Sequence, residues 1–375
     1  MTSSHRRAYV DWARGIAVLL MIEAHTVDAW TRLDVRHTKA FRDATVLGGF
    51  AAPLFLWLAG LAVVLAATRA AERTGSRRAA AEMICRRGLE IFILGFLFRL
   101  QGFVITPGSH PVTLFRVDIL NIMGPAIASA GIIWFAGRST AARVGAYAAI
   151  ATALAMVTPI VRAAPMVDAL PIWLQWYVRP FGEFTIFTLL PWAGFVFAGG
   201  AVGALIAAAR NDREERRLHE ILVTVGVALV LLGFYTAGRP SIYRSSSFWT
   251  SSPTWFAIRL GILTIALTAM YVCETGLTAL RSRGSASGAP LRTPTIDPLA
   301  RLGRSSLFVY WIHVELVYGY ASWLWRHRLP LWGTAIACVL FSVLMYRAIG
   351  WRDLAVAWWR NRPRRTRHAQ QTATA

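Results

Sequence analysis

Residues 9–27 read YVDWARGIAVLLMIEAHTV, a run apolar enough for a membrane helix that nevertheless carries ionisable side chains. About 20 helical residues cross the hydrocarbon core of a bilayer, and ionisable groups at that depth usually face a bundle interior or a wet cavity. On a helix Asp11 and Arg14 share one face, and His25 falls on the same face about 16 Å further along. Glu23 points to the opposite side. We therefore predict a first membrane helix with a charged pair near one membrane surface and an imidazole near the other.

The rest of the chain repeats this apolar pattern. Of its 375 residues 56% are hydrophobic, which places the protein in the membrane class. Long continuous apolar runs are typical of helices and exclude a β-barrel. The runs fall at 9–27, 46–68, 88–105, 117–136, 140–160, 184–208, 219–237, 254–280, 303–325 and 331–350. We expect an all-α polytopic helical bundle of ten transmembrane helices, or eleven if the aromatic segment 170–182 spans. That segment could instead be re-entrant or interfacial.

The net charge of +21 could suggest nucleic-acid binding, but the distribution of the basic residues argues against it. One set of alternate loops, together with both termini, carries about twice as many Lys and Arg as the other set, which is the positive-inside pattern. We therefore expect cytoplasmic N- and C-termini, lipid as the main surrounding and no nucleic-acid partner. Rich use of Ala and Arg favours a bacterial source, and hence the bacterial cytoplasmic (inner) membrane.

The domain organisation is predicted to be simple. Residues 1–350 form one transmembrane domain, within which the Gly-, Ser- and Pro-rich segment 281–298 is expected to be a flexible cytoplasmic linker. Residues 351–375 are expected to be a basic, disordered cytoplasmic tail. The few, widely spaced cysteines form no metal-binding or disulfide pattern, and we predict no metal site.

Histidines supply the first candidates for chemistry. His25 ends the first helix on the extracytoplasmic side, where it could act as a general base or as a nucleophile that carries an acyl group. It could equally be a buried histidine that hydrogen-bonds to a neighbouring helix. His37, in the loop that follows, is a second candidate, although an isolated loop histidine is more often simply solvated.

Two further pairs of polar residues lie at membrane depth. Asp118 and Asn121 share a helix face at the depth of His25, where they could orient an imidazole or bind an acceptor, or merely cap the helix. His313 and Glu315 are two residues apart on a later helix, so they point to different faces and need different partners. Interhelical hydrogen bonding is the alternative role for this pair.

Several segments resemble a known family. DWARGIAVLLM (11–21) resembles the D-x-x-R-G-I-A-x-x-L-M opening of the heparan-alpha-glucosaminide N-acetyltransferase catalytic family, and APLFLWLAG (52–60) is similar to its P-x-F-x-F-x-x-G second helix. FRVDILNIMG (115–124) is similar to its R-x-P-G-V-L-Q-R segment, and LGRSSLFVYWIHVELVYG (302–319) to C-terminal segments of bacterial relatives. The spacing from Arg14 to His25 also resembles the first helix of bacterial membrane acyltransferases that modify surface glycans.

The resemblance implies a transmembrane acyltransferase. Such an enzyme takes an acetyl group from cytosolic acetyl-CoA, a co-substrate, and delivers it to a sugar or amine acceptor that is extracytoplasmic or lipid-linked. A histidine near the far membrane surface is then catalytic, and the two families place it at His37 or at His25. The W-N-G sequence that follows this histidine in the glucosaminide enzymes is absent around His37.

On this interpretation the remaining polar residues take supporting roles. Asp11 and Arg14 would organise the cytoplasmic mouth of a conduit. The CoA phosphates would be neutralised by arginines of the first cytoplasmic loop, namely Arg77, Arg78, Arg86 and Arg87. The imidazole or the acceptor would be oriented by Asp118, Asn121, His313 and Glu315.

Two other interpretations of the same residues stay open. The chain could also form a homodimer. The buried polar groups could line the pathway of a transporter or flippase for a sugar or lipid-linked glycan. The bundle could also be retained for assembly or polysaccharide export without chemistry. Stabilisation by acetyl-CoA would separate an enzyme from a carrier, and tolerance of alanine at the buried charges would favour the third interpretation.

Overall fold

The computed structural model describes residues 7–105, 110–182, 185, 187–284 and 297–361. Within these ranges the chain forms α-helices joined by short turns and 3₁₀ segments, with isolated β-bridges and no strand. The helices are α1 (Ala8–Trp30), α2 (Lys39–Gly48), α3 (Ala51–Thr74), α4 (Arg77–Ile105), α5 (Ile119–Ala136), α6 (Thr140–Ala163), α7 (Ile172–Val178), α8 (Leu189–Ala208), α9 (Asp212–Ala237), α10 (Pro253–Gly284), α11 (Pro298–Arg304), α12 (Ser306–Tyr318) and α13 (Leu331–Arg360).

The predicted all-α polytopic bundle is confirmed. Among the described residues, eight helical segments are long and apolar enough to cross a membrane. They are 39–74, 77–105, 119–136, 140–163, 189–208, 212–237, 253–280 and 331–360. The two remaining predicted segments contain α1, which is long enough but carries more charge, and the shorter apolar helix α12. Each of the ten predicted segments therefore contains a helix.

Several helix boundaries differ from the prediction because helices continue past their apolar runs. Helix α4 begins at Arg77 rather than at residue 88, because the charged, Ala-rich segment before the apolar run also favours a helix. The Oγ atom of Ser76 caps its first turn by accepting from the Ala79 N–H. Gly75, at a φ of +67°, ends α3 in the left-handed conformation that glycine adopts easily.

The predicted linker and tail are also partly helical. Helix α10 runs to Gly284, so the start of the segment 281–298 is helical, and residues 285–296 lie outside the described ranges. Helix α13 continues to Arg360, which corrects the prediction of disorder for 351–360, whereas 362–375 lie outside the described ranges.

The aromatic segment 170–182 does not form an eleventh span. It contains the seven-residue helix α7, which is about 10 Å long and too short to cross the hydrocarbon core. Trp173 in this helix is exposed, while Trp176 is buried against the bundle. This one-sided burial fits a helix lying on the end of the bundle.

Helix α1 lies in the interior of the fold, in contact with α2, α3, α10, α11, α12 and α13. We call the end of the bundle at which α1 begins the N-terminal end, and the end at which α1 stops the far end. Two carboxylates hold its start: Glu274 of α10 accepts from the Tyr9 N–H at 2.7 Å, and Glu215 of α9 accepts from the Tyr9 hydroxyl at 2.7 Å. A carboxylate at a helix N-terminus is stabilised by the unpaired N–H groups there.

Small residues let three pairs of helices pack at close range. Gly60 of α3 lies against the backbone of Val196 in α8, and Gly199 of α8 lies against the backbone of Trp57. Gly88 and Gly124 bring α4 and α5 together, and α9 approaches α10 in the same way. Inside a membrane, where lipid is as apolar as a side chain, such close approach is a main source of helix association.

Replacing Gly60 by leucine should prevent α3 and α8 from packing, because the added Cβ would overlap the carbonyl oxygen of Val196. Overpacking of this kind costs about 1–3 kcal/mol or more. We expect a clear fall in the thermal midpoint of the detergent-solubilised protein, followed by size-exclusion chromatography after heating. Gly145→Ala is the control, because a Cβ there meets open space and should leave the midpoint unchanged or slightly raised. Equal midpoints for the Gly60 variant and the wild type would contradict the close packing.

Candidate active site

A cavity of about 1020 Å³ lies between α1, α3, α4, α5 and α12. Its volume is at the upper end of the range for ligand pockets, about 300–1,000 Å³. Along α1 the lining runs from Arg14 to Asp28, about 21 Å, and along α4 from Ile84 to Phe103, about 28 Å. The cavity therefore extends over most of the thickness of a hydrocarbon core, which is about 30 Å.

The two ends of the cavity are polar and its middle is apolar. At the N-terminal end the polar lining consists of Arg14, Arg87 and Ser306. The middle is lined by small and aliphatic side chains, among them Ala59, Ala62, Val63, Ile91 and Ile127. At the far end the polar lining consists of His25, Asp28, Thr45, Arg99, Thr113, Arg116, Asp118, Tyr310, Glu315, Tyr318 and Arg326.

His25 is half-buried and reaches the far end of the cavity from the last turns of α1. Its Nδ1 lies 2.7 Å from Nε2 of His313 on α12, and the two rings stack with 5.0 Å between their centroids. His313 is fully buried behind His25, and its own Nδ1 lies 2.9 Å from the carbonyl oxygen of Val309. The structure thus brings together two histidines that are far apart in the sequence.

The other side of His25 faces a small polar network. The ring of Tyr318 meets the imidazole edge-on at 5.7 Å, and its hydroxyl donates to Asp28 at 2.9 Å. Arg36 lies 3.5 Å from the same carboxylate. This network fixes the Tyr318 ring beside His25 at the mouth of the cavity.

Asp118 is occupied by structural contacts. It caps α5 by accepting from the Ile119 N–H, and Asn121 completes the capping box through its Oδ1. Arg99 lies 2.5 Å from its Oδ2, and the Tyr310 hydroxyl donates to its Oδ1 at 2.9 Å. Asp118 therefore lines the cavity as the centre of a junction between α4, α5 and α12. Asn121 is buried against Gly95 and does not reach the cavity.

Glu315 is the carboxylate of this region that is available to a ligand. It lines the far end of the cavity next to Gly102 of α4. In the part of the chain that the structure describes, its carboxylate has no hydrogen-bond or ion-pair partner within bonding distance. A half-buried carboxylate in this position can accept hydrogen bonds from a hydroxyl or an ammonium group.

At the N-terminal end the structure separates two residues that share a helix face. Arg14 lines the cavity, whereas Asp11 is buried against α11, 4.0 Å from Arg304. Gly303 of α11 lies directly on the backbone of Asp11, so the two helices touch at this point. Asp11 thus fastens α11 to α1 instead of lining the cavity mouth.

The predicted CoA-binding arginines take different positions. Arg87 lines the cavity and also pairs with Glu90 at 3.0 Å on the surface of α4. Arg77 donates to the carbonyl oxygens of Phe135 and Gly137 and so holds the end of α5. The other two are exposed on α4 and do not line the cavity, namely Arg78, which pairs with Glu82, and Arg86.

His37 is not brought to the cavity. It lies exposed between the end of α1 and the start of α2, where its carbonyl oxygen accepts from Arg42. Among the described residues, no group of three His, Cys, Asp or Glu side chains is arranged to hold a metal ion.

Sequence reasoning missed three arginines that line the far end of the cavity, namely Arg99, Arg116 and Arg326. Arg99 interrupts the apolar run EIFILGFLFRLQGF, so the rule that singled out the charges of α1 could also have found it. Arg326 lies in the segment between α12 and α13, which is joined to the end of α1 by the Arg32 N–H bonding to the Leu329 carbonyl oxygen at 2.9 Å. No local sequence pattern indicates that this segment lies beside the end of α1.

Most of the helices that line this cavity lie within the match to a known protein family. The profile described as "Heparan-alpha-glucosaminide N-acetyltransferase, catalytic" matches residues 6–238, which is more than half of the chain. The chain belongs to this family. It is therefore a multi-pass membrane protein of an acetyltransferase family, as the resemblance of its first helices predicted. No curated protein matches the chain.

The matched segment contains only part of the cavity lining. It covers α1 to α9, and so includes Arg14, His25, Arg87 and Asp118. It ends before α12, which carries His313, the contact of His25, and Glu315, which lines the cavity.

Replacing Asp118 by alanine should destabilise the acetyltransferase, because it removes the cap of α5 and leaves Arg99 without its carboxylate. Breaking a buried pair costs about 3–5 kcal/mol, and we expect a value near the lower limit since the Arg99 side chain is 22% exposed. The thermal midpoint of the purified protein measures the loss. Asp34→Ala is the matched control, because its pair with Arg32 is exposed and worth less than about 1 kcal/mol. Equal midpoints for the two variants would exclude the structural role of Asp118.

Proposed function

We propose that this protein moves an acetyl group from cytosolic acetyl-CoA across a bacterial cytoplasmic membrane to a sugar or amine acceptor on the other side. The N-terminal end of the bundle would face the cytoplasm, in keeping with the excess of Lys and Arg in the loops at that end. The acceptor would approach the far end, either free or as part of a lipid-linked glycan.

The observation that carries this proposal is the cavity itself, which reaches from Arg14 and Arg87 at one end to His25 at the other. Arg14 and Arg87 offer guanidinium groups to the CoA phosphates, which Arg binds with good geometry. The apolar middle of the cavity suits the largely uncharged pantetheine arm. The thioester would then lie near His25, at the end where the acceptor arrives.

The chemistry at the far end is acyl transfer assisted by a general base. The acceptor oxygen or nitrogen attacks the thioester carbonyl carbon, and the imidazole of His25 takes the acceptor's proton. The carbon–sulfur bond breaks, the acetyl group stays on the acceptor, and the proton passes from the imidazole to the leaving thiolate to give free CoA. Removing the proton in this way typically contributes 10²–10⁴-fold to the rate.

Glu315 and Tyr318 would hold the acceptor. The carboxylate of Glu315 faces the cavity and can accept a hydrogen bond from the acceptor's hydroxyl or amine group. Tyr318 presents an aromatic ring beside His25 on which a sugar ring can stack. A site of this composition favours a polar, hydroxyl-bearing acceptor over an apolar one.

Replacing His25 by alanine should lower acetyl transfer from radiolabelled acetyl-CoA at least a hundredfold, because the base is lost. Membrane vesicles of cells that make equal amounts of each variant provide the assay, with label in glycan and lipid fractions as the readout. His37→Ala is the matched control and should keep wild-type activity, since His37 is exposed and away from the cavity. Full transfer by the His25 variant, or loss confined to the His37 variant, would overturn the assignment.

Replacing Arg87 by glutamine should raise the KM for acetyl-CoA about tenfold, because a charged hydrogen bond to phosphate contributes about 1.5–3 kcal/mol. Arg14→Gln should act in the same direction. Arg78→Gln is the control on the same helix, since Arg78 is exposed and does not line the cavity.

Binding can be measured separately from turnover by the rise in thermal midpoint that acetyl-CoA produces. A ligand at 100 times its Kd stabilises the folded state by about 2.7 kcal/mol. We expect this rise in the wild type and in Arg78→Gln, and a smaller rise in Arg87→Gln. A wild-type protein that acetyl-CoA does not stabilise, while a free sugar or lipid-linked glycan does, would favour a transporter or flippase over an acetyltransferase.

A further inference from the structure

His313 lies behind the candidate base and outside the cavity. It is fully buried, does not line the cavity, and contacts His25 through a 2.7 Å nitrogen–nitrogen distance. Its Nδ1 lies 2.9 Å from the carbonyl oxygen of Val309 and 3.0 Å from that of Tyr310. These carbonyl oxygens belong to the preceding turn of its own helix.

These distances determine which nitrogen of each imidazole carries a proton. A carbonyl oxygen can only accept a hydrogen bond, so Nδ1 of His313 must carry a proton. In a neutral imidazole the other nitrogen is then bare, and Nε2 of His313 acts as an acceptor. Its partner, Nδ1 of His25, must therefore donate, which leaves Nε2 of His25 as that ring's unprotonated nitrogen.

We propose that His313 is the positioning residue of the acetyl-transfer site, because it fixes His25 in the tautomer whose free nitrogen is Nε2. This inference rests on the proposed function of His25 as the base. A histidine base needs one bare nitrogen toward the acceptor and a second nitrogen whose hydrogen bond holds the ring. Carboxylates often hold such a ring, whereas here the holding group is a second imidazole backed by two backbone carbonyls.

The same arrangement supports the charge that develops during the reaction. When Nε2 of His25 takes the acceptor's proton, the ring becomes an imidazolium and its Nδ1–H becomes a stronger donor. Nε2 of His313 accepts this bond, while the carbonyl dipoles on Nδ1–H of His313 point their negative ends toward the pair. The proton then leaves Nε2 of His25 for the CoA thiolate, and both rings return to their starting state.

The packing of the two helices keeps this geometry. His25 and His313 stack at 18° between ring planes, and the adjacent Val309 and Val317 of α12 are fully buried in a cluster with Val18 and Ile22 of α1. The indole of Trp30 donates to the Val317 carbonyl oxygen at 3.2 Å and joins the two helices one turn further on. Contacts with α1 four residues before and four residues after His313 therefore keep its imidazole in place.

Two amide substitutions separate positioning from mere packing. His313→Gln places an amide group close to the former Nε2, where its oxygen can accept from Nδ1–H of His25. His313→Asn places its amide close to the former Nδ1, where it can bond the carbonyls but cannot reach His25. Both variants fill part of the buried space, and in both the carbonyl oxygens of Val309 and Tyr310 keep the i+4 N–H bonds of their own helix. We therefore expect similar thermal midpoints.

Steady-state kinetics on full-length protein in vesicles should then distinguish them. We expect His313→Gln to keep kcat within about tenfold of the wild type, and His313→Asn to lose about a hundredfold in kcat with an unchanged KM for acetyl-CoA, in the range of a lost general base. Equal kcat values for the two variants, or a loss that appears only as a raised KM, would overturn the proposal.

A spectroscopic measurement tests the same inference without turnover. Nitrogen-15 NMR of histidine-labelled protein should show His25 protonated at Nδ1 and bare at Nε2 in the wild type and in His313→Gln, and a mixture of tautomers in His313→Asn. His25→Ala assigns the signal. The predicted tautomer in a protein that transfers no acetyl group would overturn the proposed function and leave the positioning intact. The opposite tautomer in an active protein would overturn the positioning alone.

Discussion

A lipid bilayer offers no hydrogen-bond partners, so the paired polar groups of α1 find their partners elsewhere in the protein, whereas the buried Oε2 of Glu23 has none among the described residues. Asp11 lies near Arg304 of α11, and His25 contacts His313 of α12. The N–H of Tyr9, in the first turn of α1, donates to Glu274 of α10. Such contacts require that other helices surround α1, and α2, α3, α10, α11, α12 and α13 do so. The polar residues of one helix thus determine which elements gather around it.

The helices that form the cavity walls are held in place by close contacts with neighbouring helices. Gly60 brings α3 onto α8 on the side away from the cavity, and Gly88 brings α4 onto α5, which also lines the cavity. The cavity sides of the same helices carry alanines on α3 and larger residues on α4, among them Phe98 and Arg99. On α3, close packing on one face and small side chains on the other leave a space that α1 and α12 border without filling.

Asp118 shows how a polar residue of the site can be essential to structure and still not be free for substrate. Its oxygens are taken by a helix cap, by Arg99 and by Tyr310, so three helices depend on it. Glu315, three residues before the end of its helix, has no such partners among the described residues and faces the same space. The sequence predicted both carboxylates at membrane depth, and only the tertiary structure shows that Asp118 is held in structural contacts while Glu315 faces the cavity without one.

The amino-acid sequence determined the membrane class, the approximate positions of the spans and the polar residues that cannot face lipid, because hydropathy and helical periodicity are local properties. It also predicted that His313 and Glu315 need different partners, since residues two apart on a helix diverge. Which partners they find was decided only by the tertiary structure. His25 and His313 are 288 positions apart, and His37 is closer in sequence yet stays at the surface. Contacts of that range depend on how whole helices pack, which no local pattern encodes.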